Sequence, residues 1–143
     1  MYCLQIRDGD LVLDGGGNVA TVSTSERIKQ DLACWLMEPL GTDFGYPSFG
    51  SSIHDFIGTP MWESTRSRIA SEVGRVVSNY IAYQRGIYDD HITHGDDLLA
   101  IYSLGDILSG EYSVQVTGET DTIRVRVSVR TEGGQSIEID EVY

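Results

Sequence analysis

The sequence is short of cysteine, of proline and above all of positive charge. Its 143 residues include 2 Cys and 3 Pro, and 10 Lys and Arg stand against 22 Asp and Glu, for a net charge of −12. So strong an acidic excess repels a phosphate backbone, which argues against nucleic-acid partners, and an anionic membrane surface is disfavoured on the same ground. No apolar run comes near the ~18 residues of a membrane span. The first residues, MYCLQIRDGD, lack a charged stretch followed by an apolar one, so no secretory leader is expected. Cys3 and Cys34 lie far apart, with no Cys-x-x-Cys spacing. Two such thiols are expected as small buried apolar residues rather than as a disulfide. The rest is ordinary for a globular chain: 41% hydrophobic and 22% charged, enough to bury a core as one domain over residues 1–143.

Apolar residues alternate at both ends of the chain and recur at helical spacing between them. In QIRDGDLVL, Asp8-Gly9 lies between alternating apolar residues and predicts a hairpin. LDGGGNVATV adds a glycine turn and another strand; it has neither the P-loop lysine nor the dinucleotide spacing, so no phosphate role is assigned. Ser23 and Glu26 are placed as a capping box, and Ile28, Leu32, Trp35 and Leu36 form one stripe, predicting a helix over 24–37 that ends before Pro39. Ser51 or Ser52 caps a short turn through Phe56 and Ile57, closed by Gly58. Thr59 and Pro60 open a second long helix, with Trp62, Ile69, Val73, Val76, Val77 and Tyr80 inward and Arg66, Arg68, Glu72 and Arg75 solvated. The helix signal ends at about residue 85.

DDLLAIYSLGDIL, EYSVQVTG and TIRVRVSVR then read as strands, followed by the turn TEGGQS and the alternating SIEIDEVY. Ile123, Val125, Val127 and Val129 point one way; Arg124, Arg126, Ser128 and Arg130 point the other. A hairpin pairing Val129 with Ile137 sets Val127 opposite Ile139 and Arg126 opposite Asp140, so both faces agree. Alternatively, the acidic last strand adds to a neighbour's sheet or leaves an edge open for one. The fold class is α+β: a single domain with an N-terminal β-hairpin, two long helices and a C-terminal antiparallel sheet.

Candidate chemistry is thin. DDHITHGDD, residues 89–97, puts His91 and His94 among Asp89, Asp90, Asp96 and Asp97, which are ordinary ligand types for zinc or iron. All six fall in one polar stretch, whereas a metal site draws on at least two elements; the stretch reads as a solvated loop. A small metal-dependent enzyme using His91 and His94 is the alternative. Carboxylate pairs could be drawn almost anywhere in so acidic a chain, and no Ser lies in a Gly-x-Ser-x-Gly elbow. No catalytic residue, metal or cofactor is assigned, and no enzymatic activity is expected.

The segment DFGYPSFGSSIHDFIG, residues 43–58, holds Phe44, Tyr46, Phe49 and Phe56 and no Lys or Arg. Pro47 stiffens it, Gly45 and Gly50 permit its turns, and the rings offer rigid contact area or plug the core. Tyr46 is the ring most expected at a surface. In order, DLVLDGGGNVATVSTSERIKQDL supplies strand, glycine turn, strand and a helix carrying Gln30-Asp31. The Gly-Tyr-Pro-Ser-Phe-Gly loop at 45–50 and a small-residue cap follow.

This ordered set resembles the small baseplate wedge protein, or sheath initiator, of contractile-tailed phages, a family that includes the corresponding baseplate subunit of type VI secretion systems. The resemblance implies a structural virion protein of the tail baseplate, assembled in the host cytoplasm, or alternatively the equivalent baseplate subunit of a type VI-like injection system. Its implied partners are the baseplate wedge scaffold proteins, the tail sheath subunit and the tail tube, and its implied role is to start sheath assembly. The aromatic loop and the C-terminal sheet are expected to carry the protein contacts, through Phe44, Tyr46, Pro47 and Phe49 in the loop and Arg124, Arg126, Ile137 and Ile139 in the sheet. One departure stands out: the Glu-Pro-Arg triplet common after the family's second long helix is absent from residues 84–100.

Overall fold

The computed structural model describes residues 3–7, 10–95, 103–119 and 121–143. The chain begins with a small meander: β1 (Cys3–Leu4) pairs antiparallel with β4 (Thr21–Val22), and β2 (Ile6–Arg7) with β3 (Asp10–Leu11). The expected turn residues Asp8 and Gly9 lie outside the described residues, but Ile6 sits opposite Leu11, the pairing such a hairpin makes. In the glycine turn, the Asp14 carboxylate accepts the backbone N–H groups of Gly16 (2.8 Å) and Asn18 (2.9 Å), and these hold its pKa below the usual carboxylate value.

Helix α1 (Thr24–Met37) has the expected bounds and buries the expected stripe, Ile28, Leu32, Trp35 and Leu36. Its start differs in detail. Ser23 is the extended N-cap residue, but its hydroxyl makes no capping bond, and Glu26 pairs with Lys29 instead (3.1 Å). The Gln30 side chain acts as an extra strand partner: its Oε1 accepts the Ile6 N–H and its Nε2 donates to the Leu4 carbonyl, each at 2.8 Å. One amide thereby fastens the N-terminal strands to α1.

Helix α2 spans Glu63–His94 and corrects the sequence reading at both ends. Thr59 and Pro60 precede it rather than opening it, and Trp62, its N-cap residue, is 70% exposed instead of inward. At the other end the helix continues nine residues past Arg85, through the stretch read as a loop. Gln84, Ile87, Tyr88 and His91 continue the covered face at 3–4-residue spacing, and Gly95 closes the helix at φ 64°, its N–H on the His91 carbonyl. Gln84 and His91 on that face, within an acidic stretch, hid the period. The centre is as expected: Ile69, Val73, Val76, Val77 and Tyr80 are fully buried.

The C-terminal sheet has the order β5 (Leu108–Glu119), β6 (Thr122–Thr131), β7 (Ser136–Val142), all antiparallel. Residues 96–102 of the expected strand DDLLAIYSLGDIL lie outside the described residues; Leu104–Asp106 form a 3-10 turn, and the strand begins at Leu108. Register in the last hairpin matches the sequence reading: Val129 opposite Ile137, Val127 opposite Ile139, Arg126 opposite Asp140. Ile123, Val125, Val127 and Val129 are at most 2% exposed. The helices cover this face, α2 against β5 and α1 against β7. On the outer face, Asp140 is gripped twice, by Arg124 (2.8 and 2.7 Å) and by Arg126 (3.0 Å). Helix α2, though long, is not apolar enough to cross a membrane.

A polar thread runs through the interface. The Tyr80 hydroxyl donates to Asp31 (3.2 Å), Gln84 Nε2 lies 3.4 Å from that hydroxyl, and Gln84 Oε1 accepts the buried Leu108 N–H (3.2 Å). Gln84→Leu keeps the volume but strands that N–H, so the urea midpoint should fall by the equivalent of about 1–3 kcal/mol with an unchanged slope. A midpoint equal to the parent's would show that the bond contributes nothing.

Candidate interaction surfaces

The aromatic segment is the middle of an Ω-shaped loop whose ends meet. Ser51 N–H donates to the Glu38 carbonyl (2.7 Å) and Leu40 N–H to the Ser51 carbonyl (3.0 Å), while the buried Ser51 hydroxyl bonds the Leu36 carbonyl at the end of α1. Gly50 makes this closure possible. It adopts φ +91°, and a Cβ there would sit 2.6 Å from the Glu38 carbonyl oxygen. Within the loop, Asp43 Oδ1 accepts the N–H groups of Gly45 (2.7 Å) and Tyr46 (2.9 Å).

From the other side α2 clamps the loop. Arg75 donates to the carbonyls of Gly50 (2.8 Å) and Ser48 (3.3 Å), and Glu72 accepts the Ser52 N–H (2.8 Å). The two side chains pair with each other through two bonds, at 2.9 and 2.7 Å. Neither is simply the solvated residue that the sequence suggested. Their spacing of three on one helix was the available signal. Hydrogen bonds from Arg75, and secondarily from Ser52, outweigh burial and hold the Glu72 carboxyl below its usual value.

The four loop residues singled out from sequence divide. Phe49 packs edge-on against Trp35 at 4.9 Å between centroids and joins the core. Tyr46 is 39% exposed and leans on Trp35 (5.8 Å) and Tyr83 (5.7 Å). Pro47 is exposed, and Phe44 is wholly so, at 103%. Phe44 is the ring the brace presents to solvent.

The sheet candidates divide as well. Ile137 and Ile139 belong to the core, and Arg124 and Arg126 lie on the outer face, engaged with Asp140. What β7 offers a neighbour is its backbone edge. It borders a groove of about 920 Å³ whose walls include Ile6, Val22, Gln30, Cys34, Asp140 and Glu141. Both cysteines are free, and contrary to expectation neither is buried: Cys3 is half-buried and Cys34 exposed.

His91 and His94 lie in the last turn of α2, not in a loop, and the His94 ring nitrogen Nδ1 is 3.1 Å from the Asp90 carbonyl oxygen. Asp96 and Asp97 lie outside the described residues. Among the described residues no group of three or more His, Cys, Asp or Glu is placed to hold a metal ion.

No family model matches the chain, and no curated protein matches it.

Two predictions follow from the brace. Gly50→Ala should destabilise by at least about 2 kcal/mol in chemical denaturation, because a strained φ adds to a backbone clash, whereas Phe44→Ala should stay within about 0.5 kcal/mol of the parent. Equal effects would show that the loop is not closed in this way. For Glu72, a depressed folded pKa contributes stability above the unfolded value of 4.5 that is lost as pH falls through the folded pKa. The melting temperature of the parent should therefore exceed that of Glu72→Gln at pH 7, with the gap closing below pH 4.5. A constant gap from pH 7 to pH 3 excludes the ion pair as its source.

Proposed function

We propose that this chain is a non-enzymatic structural subunit of a contractile phage tail baseplate, linking the wedge scaffold to the first sheath ring and initiating sheath assembly. The observation that carries the reading is the edge of β7, a strand that among the described residues pairs on one side only and is bordered on the other by a groove of about 920 Å³. Such edges bind by strand addition, with main-chain hydrogen bonds supplying affinity. The braced loop fits the same role: it leaves Phe44 exposed to solvent, where an aromatic ring is a favoured contact residue. Partners of this chain present basic or apolar surfaces, given the net charge of −12. The strand–turn–strand–helix–loop order of residues 10–58, similar to that of the sheath initiator family, supplies the assignment to a tail.

The test is electron microscopy of particles assembled with the parent chain, without it, and with Glu138→Pro. Residue 138 directs its N–H away from β6, so proline there leaves the β6–β7 ladder intact and obstructs only the free edge. Tubes or baseplates without polymerised sheath are expected both in the absence of the chain and with the variant. Sheathed tails formed without the chain would overturn the assignment.

A further inference from the structure

The hydrogen-bond phase of the last hairpin fixes which groups β7 turns outward. Ile123 and Tyr143 exchange both N–H···O bonds (3.1 and 2.8 Å), and Thr131 N–H bonds the Gln135 carbonyl. By alternation Val125–Glu141, Val127–Ile139 and Val129–Ile137 are the bonded pairs, and the backbone groups of Ser136, Glu138, Asp140 and Val142 point away from β6. None of those outward groups has a backbone or side-chain partner among the described residues.

The side chain of Glu141 follows the other alternation. It shares the inner face with Ile137 and Ile139, the face against α1, and is half-buried. It has no hydrogen bond or ion pair among the described residues. Burial, then the neighbouring Asp140 charge, pushes its carboxyl above the ordinary value. The other charges lining the groove do not answer it: Glu26 and Glu38 are acidic, Glu138 and Asp140 turn their carboxylates to the outer face, where Arg124 and Arg126 hold them, and the Lys29 ammonium is already 3.1 Å from Glu26. An inward charge near a strand edge opposes casual pairing, because an incoming strand must strip its remaining water.

We propose that Glu141 is the specificity-determining residue of the β7 edge, admitting an extended partner segment that brings a Lys or Arg into the groove and rejecting uncharged or acidic ones. The inference rests on the reading of β7 as an assembly edge. A cation beside Glu141 replaces the lost hydration with a charge-assisted bond, while an uncharged strand leaves a carboxylate desolvated and unpaired.

The test uses the isotope-labelled full chain and four seven-residue N-acetylated peptides of alternating valine and threonine. Three carry lysine, glutamine or glutamate at the centre; the fourth is interrupted by proline. The lysine peptide should shift the amide resonances of Glu138, Asp140 and Val142 and bind at least tenfold more tightly than the glutamine and glutamate peptides. That preference should collapse in Glu141→Gln and persist in Glu119→Gln, an acid on β5 remote from the groove. If both variants keep the preference, net charge alone is responsible and the role of Glu141 is wrong, while the edge reading survives. If no peptide moves the β7 resonances, or the proline peptide moves them equally, the edge reading itself fails.

Discussion

The structure depends on covering one apolar face of β6. Ile123, Val125, Val127 and Val129 project from the middle strand of a three-stranded sheet, and burying each is worth about 1.5–3 kcal/mol. Two helices lie over that face, α1 toward β7 and α2 toward β5. Their own apolar stripes meet there, and Tyr80, with Asp31 and Gln84, satisfies the polar groups that the contact would strand. β7 is an outer strand of that sheet, and the groove lies between it and the N-terminal strands.

The two surfaces proposed for partner contacts are built differently. The loop is braced from both sides: by its own closed ends at Glu38 and Ser51, and by Arg75 and Glu72 on α2. Such bracing removes conformational freedom before any partner arrives, which lowers the entropic cost of binding. The β7 edge is the opposite case, since its backbone groups are ready but a half-buried carboxylate discourages indiscriminate use. In the proposed baseplate role the first is a rigid knob and the second a guarded socket, both joined to the same core through α1.

Much of this was legible in the sequence. Alternation along residues 123–130 and 137–141, with opposite charges on the outer face, sufficed for strand identity and for register, because a slip of one residue would expose every buried side chain. Helix α1 was readable to its bounds, since its stripe is apolar and Pro39 follows closely. Helix α2 was readable only where its inner face is apolar. Past Gln84 the covered positions are Ile87, Tyr88 and His91, and the histidines drew attention to metal chemistry instead of to a helix end whose real mark was Gly95.

Residue type and spacing alone determined the α+β class, the hairpin register, the central core and the presence of an aromatic, turn-rich loop. Those are local periodicities, and they survive without knowledge of what packs on them. Tertiary structure decided which loop rings face water, that Glu72 and Arg75 hold the loop rather than solvent, and that Glu141 faces the groove beside a free edge. Each of these hangs on partners tens of residues away in the chain, and no pattern along one segment encodes the distance between two.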